Sequence, residues 1–84
     1  MDSKTSFYNH TGVQKNASRK ITEAFGNRVR DGRIKIGLSQ EALALACELD
    51  RSYLGGVERG ERNVSLINIY KLAAGLSVNT RDLF

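Results

Sequence analysis

The sequence predicts an all-α fold, a compact bundle of about five short helices occupying residues 19–84. Three observations lead there. Apolar residues recur at helical intervals, and no segment alternates with the period of a half-buried strand. Proline is absent from all 84 residues. Ser, Asp and Gly fall where helices start and stop.

Residues 1–18 lack apolar periodicity and are rich in Ser, Thr, Asn and Lys, with a turn-like Asn9-His10-Thr11-Gly12. They read as a flexible basic arm in which Phe7, Tyr8 and Val13 offer docking points. The first helix is predicted over Arg19–Ile36. Ile21, Phe25 and Val29 mark one face, Ile36 continues it, Ser18 is its N-cap and Gly37 its stop. Ser39 caps a second helix that Gln40 and Glu41 favour at its start, with Leu43, Ala44 and Cys47 on one side. Asp50 caps a third, Arg51–Arg59, with Leu54 and Val57 inward and Gly60 at its end. After the polar loop Glu61–Val64, Ser65 caps a fourth, with Leu66, Ile69, Leu72, Ala73 and Leu76 inward. Ser77-Val78-Asn79 breaks it. Thr80–Phe84 forms at most one further turn, with Leu83 and Phe84 free to dock.

Composition narrows the function. Aliphatic, aromatic and cysteine residues make up 40% and charged residues 26%, the balance of a globular domain. A chain this short buries a modest core, so a self-association surface would help it. One cysteine leaves no intramolecular disulfide, and one cysteine with one histidine leaves none of the usual zinc sites. Cys47 reads as a small core residue, and His10 lies in the arm without a partner. No apolar run reaches the ~20 residues of a membrane span, and no signal-type stretch opens the chain. The expected location is therefore cytoplasmic. Asp31, Glu41 and Glu61 form no catalytic pair, and no nucleophile–base set is present, so no catalytic residue, metal or cofactor is predicted. The net charge is +4, of which +3 sits in residues 1–20. If the body binds a polyanion, it does so with a local patch.

The second and third helices, eight or nine residues each around a three-residue turn, have helix-turn-helix spacing. Helices this short hold only by packing on one another, here Leu43, Ala44 and Cys47 against Leu49, Leu54 and Val57. The outer face of the third helix is then free to enter a DNA major groove, which admits one α-helix.

The run SQEALALACELDRSYLGGVERGERNVSL resembles the Cro/cI-type, or XRE-family, helix-turn-helix proteins, whose domain is lambda-repressor-like. Within that family DRSYLGGVERGERN, followed by a helix ending near Asp82-Leu83-Phe84, looks most like the controller proteins of restriction–modification operons. Gln40, Ala44, Leu49, Leu54, Val57, Glu58 and Gly60 stand at the family's offsets. The resemblance implies a homodimeric transcription regulator that binds a partly palindromic operator in double-stranded DNA. It implies base reading by Arg51, Ser52 and Tyr53. Phosphate contacts would come from Gln40, Arg59, Arg62 and Asn63. A structural ion pair would join Arg33 to Glu58. Ile67, Tyr70, Leu83 and Phe84 are the candidate dimer seam. Gly55 and Gly56, where the family often carries a reading side chain, would let the backbone approach DNA. Three positions depart from the pattern: Glu48 for the turn glycine, Gly32 for a leucine and Val64 for a proline. Reduced stability is expected from them, and Ile34, Ile36 and Leu45 either cover the Gly32 gap or stay exposed. The alternatives are an antitoxin-type protein-binding module and a phage-type repressor.

Overall fold

In a computed structural model of the protein, the backbone is described for residues 11–84 and the side chains for residues 17–84. The first ten residues of the predicted arm, with Phe7, Tyr8 and His10, lie outside the described residues. Four α-helices follow, α1 Thr11–Lys35, α2 Gln40–Cys47, α3 Arg51–Glu58 and α4 Leu66–Leu76, then a 3-10 turn at Thr80–Leu83.

Local chemistry sets three of the four helix starts. The Ser39 hydroxyl accepts from the Ala42 N–H at 3.0 Å, the Asp50 carboxylate from Tyr53 N–H at 3.2 Å, and the Ser65 hydroxyl from Asn68 N–H at 3.2 Å. Each satisfies an N–H that has no partner within its helix. The start of α1 differs from expectation. Ser18 does not cap it; the helix runs eight residues further back, so Ser18 lies inside it. Ile21 is 63% exposed rather than inward, so the buried face of α1 begins only at Phe25 and continues to Val29.

All four helices end alike. The residue after each helix end or its cap, Gly37, Glu48, Gly60 and Ser77, takes a left-handed conformation with φ between 58° and 76°. The next residue's N–H reaches back five positions: Leu38 to Arg33, Leu49 to Ala44, Glu61 to Gly56 and Val78 to Ala73, at 2.9–3.1 Å. This is the Schellman closure. Two of the four closures lack glycine, and each costs about 1 kcal/mol in Cβ–carbonyl crowding.

The core is Phe25 and Val29 from α1, Leu43, Ala44 and Cys47 from α2, Leu54 and Val57 from α3, Leu72, Ala73 and Leu76 from α4, and Leu83. Each fully buried leucine contributes roughly 2 kcal/mol. Two glycines bring backbones together. A Cβ at Gly26 would collide with the Val57 carbonyl, and one at Gly75 with the Cys47 sulfur. So α1 lies on α3, and α4 on α2, closer than side chains would permit. Gly32 leaves no hole, because the Leu76 side chain packs over it, 3.4 Å from where a Cβ would stand. Ile34, Ile36 and Leu45 are therefore not needed there and are exposed. Leu66, expected inward, is 69% exposed: it opens α4 one turn before the core begins.

Replacing Glu48 with Gly is expected to relieve one left-handed cap, raising stability by about 1 kcal/mol and the melting temperature by about 4–8 °C. Calorimetry of the two proteins checks it.

Candidate nucleic-acid interface

Helix α3 holds the outward face. Its first turn leaves Arg51 and Ser52 exposed. Tyr53 is half-buried against the core edge. Its hydroxyl accepts from Asn68 Nδ2 at 3.2 Å, and the Arg62 guanidinium lies 5.8 Å from its ring centroid. That cation–ring contact carries about 0.5–1 kcal/mol at a surface site.

Gly55 and Gly56 do not present bare backbone to the outside. Arg59 and Gln40 lie over Gly55, where a Cβ would stand 3.2 Å from the nearer guanidinium nitrogen. Arg62 lies over Gly56, with its Nε 2.9 Å from an added Cβ. The missing side chains are seats for these longer ones. The middle of α3 is thus paved by guanidinium and amide groups borrowed from α2 and from the loop after α3.

That loop is anchored as well as charged. Gly60 sits so close to Glu23 of α1 that a Cβ would meet its Cγ at 2.6 Å, and its carbonyl accepts from the Thr22 hydroxyl at 2.8 Å. Arg59 pairs with Glu61 at 3.1 Å. Arg59, Arg62 and Asn63 are all exposed. The Arg59–Glu61 pair adds little stability in water and opens readily to a stronger anion.

Behind the face, Glu58 is buried, its side chain 2% exposed. Arg33 Nε and Nη2 donate to its two oxygens at 2.7 and 3.0 Å. Gln40 Nε2 donates to it at 3.0 Å, and Arg33 Nη1 donates to the Leu38 carbonyl at 3.0 Å. The bond to Glu58 raises the Arg33 pKa above its ordinary value, so the guanidinium stays charged. One N–H of Gln40 is spent here.

The candidate seam residues do not come together. Ile67 and Tyr70 stand exposed on α4 and line one shallow depression with Leu66, Lys71 and Ala74. Leu83 is buried in its own protomer and offers no seam surface. The Phe84 ring lies 5.4 Å from that of Phe25, beside Ile21 and Ala24 of α1. Sequence reasoning missed Asn68. Its partner is 15 positions away, and only the fold brings them together. Burial pushes the Cys47 thiol pKa up, which keeps it protonated in the core. Among the described residues, no His, Cys, Asp and Glu group could hold a metal, and no helix is long and apolar enough to cross a membrane.

Residues 29–83 match the family model described as helix-turn-helix, HTH_3. The chain is 50% identical over 67 residues to the control protein C.BamHI of Bacillus amyloliquefaciens, covering 79% of this chain and 83% of that one. It is 46% identical over 61 residues to the control protein C.MunI of a Mycoplasma species, covering 71% and 82%. Its fold superposes on the crystal structure of the restriction-modification controller protein C.AhdI from Aeromonas hydrophila with a TM-score of 0.76 and 57% identity, covering 77% of this chain and 98% of that one.

Substituting Gly56 by Ala is expected to unseat Arg62 without loss of fold. Alanine favours the helix by ~1 kcal/mol, and a flexible side chain yields to the new methyl. NMR should show the ring-current shift of Arg62 from Tyr53 disappearing while the melting temperature does not fall.

Proposed function

The chain belongs to the helix-turn-helix family of DNA-binding transcription regulators, and on that footing we propose that it is a homodimeric controller of a restriction–modification operon, acting by occupying a partly palindromic operator. The observation that carries this reading is the exposed Arg51–Ser52 turn at the start of α3, flanked by the exposed Arg59, Arg62 and Asn63 loop. A planar guanidinium at the tip of a groove-entering helix matches guanine O6 and N7 together. Ser52 pairs with a base or a phosphate. Tyr53 completes the reading set. The loop and the second Gln40 N–H run along phosphates, which position the protein without reading sequence.

Because Glu58 is neutralised by Arg33, it does not repel the DNA behind which it sits. The likeness to proteins named as control proteins supports the operon assignment. For the dimer, the support is the apolar strip of Leu66, Ile67 and Tyr70 on α4, each at least 59% exposed. A two-fold contact there would set two copies of α3 about 34 Å apart, one turn of DNA. Lys4, Lys15, Arg19 and Lys20 of the N-terminal quarter add charge that draws the protein toward DNA. Such a regulator works in the cytoplasm, where its operator is.

Replacing Arg51 with Ala should cost ~1–3 kcal/mol of operator binding and relax preference at one position per half-site. Replacing Arg62 with Ala should weaken all sequences and flatten the dependence of affinity on salt. Selection from a random duplex pool, followed by salt titration, measures both. An equal loss on every sequence would move Arg51 to the phosphate set. Replacing Ile67 with Glu should give a monomer by sedimentation equilibrium; a dimer unchanged by it would place the seam elsewhere.

A further inference from the structure

The Tyr53 phenol is held from two sides. Arg62 lies over the ring, and Asn68 Nδ2 donates to the oxygen at 3.2 Å. The second contact decides the polarity of the hydroxyl. A phenolic oxygen carries one proton and accepts through its lone pairs. Conjugation with the ring keeps the O–H near the ring plane, which leaves it two orientations. The one facing the amide N–H is closed, because two hydrogens would meet. The proton therefore turns away from α4. Asn68 is itself half-buried, and its backbone N–H donates to the Ser65 hydroxyl, which anchors the residue in the first turn of α4.

We infer that Asn68 is a positioning residue that fixes the Tyr53 hydroxyl as a donor toward the DNA, so that this point of α3 selects base edges carrying an acceptor and rejects an exocyclic amine. The inference rests on α3 being the DNA-reading helix. In the major groove guanine offers O6 and N7 and thymine offers O4, whereas cytosine presents the N4 amine. A donor fixed in direction prefers guanine or thymine to cytosine. Without Asn68, the hydroxyl could rotate and accept from an amine, and the preference would vanish.

The test uses the full chain and four proteins: the parent, Tyr53→Phe, Asn68→Asp, and the double variant. Each selects duplexes from one random pool at one salt concentration. The Asp carboxylate accepts only, so it captures the Tyr53 proton that the amide leaves free. The parent should favour guanine or thymine over cytosine at one position per half-site by about five- to tenfold, the worth of one hydrogen bond. Tyr53→Phe should lose that preference, and Asn68→Asp should lose it equally. Added to Tyr53→Phe, the Asn68→Asp change should lower affinity through its charge and leave every base preference unmoved. That last comparison separates positioning from a direct contact or a damaged fold.

The inference is overturned if Asn68→Asp keeps the preference, if it shifts preference equally when the Tyr53 hydroxyl has already been removed, or if Tyr53→Phe leaves preference intact. In those three cases the parent still recovers an operator, so the regulator reading stands. A parent that enriches no sequence overturns that reading and this inference together.

Discussion

The helix-turn-helix half of the molecule hangs on one buried carboxylate. Glu58 ends α3, and its two oxygens accept from Arg33 on α1 and from Gln40 at the start of α2. Arg33 spends a further N–H on the Leu38 carbonyl in the turn between α1 and α2. Three helices and a turn thus meet at one group. Removing either end of such a pair strands the other charge and costs about 3–5 kcal/mol. The arrangement also fixes orientation. A hydrophobic contact tolerates sliding, whereas a bidentate guanidinium–carboxylate pair admits one geometry. The angle between α2 and α3, on which the proposed groove entry depends, is held by that geometry together with the core.

Around this clamp, small residues decide how near the helices come. Gly26 lets α1 touch the α3 backbone, and Gly75 lets α4 close on Cys47 of α2. On the outer side the same economy of atoms has the opposite use. Gly55 and Gly56 leave shelves on which Gln40, Arg59 and Arg62 lie. Helix α3 is short, but its outer surface is widened by side chains that belong to its neighbours. Tyr53 is fixed within that surface by Arg62 above and Asn68 beside it.

Much of this was legible in the sequence because it is local. Ser39, Asp50 and Ser65 each cap the helix that follows within three residues, and those starts stand where the residues put them. The inward faces of α2 and α3 followed from spacing alone, and the helix-turn-helix membership from the run of residues around them. The start of α1 was hidden for a physical reason. Residues 11–18 carry no apolar stripe, so periodicity could not mark them as helical, and the polar Ser18 imitated a cap. Ile21 and Leu66 misled in the same way, since each keeps helical phase with a buried row but lies beyond the end of the core. At the interface, Arg33 and Glu58 were linked only through the family resemblance, because 25 positions separate them. The Tyr53–Asn68 bond has no sequence signal at all. It exists only once α3 and α4 are packed.

The two left-handed caps without glycine, Glu48 and Ser77, bear on how much regulator a cell holds. Folded proteins of this size stand only a few kcal/mol above unfolding, and proteases draw on the unfolded fraction. A change of 1–2 kcal/mol can alter steady-state abundance several-fold. A glutamate codon becomes a glycine codon by a single nucleotide change, so a longer-lived form of this protein lies one mutation away. For a protein that acts by occupying sites on a chromosome, lifetime sets dosage, and dosage sets which sites are filled. Relaxing the strained closure of α2 would thus be expected to lengthen the life of the regulator.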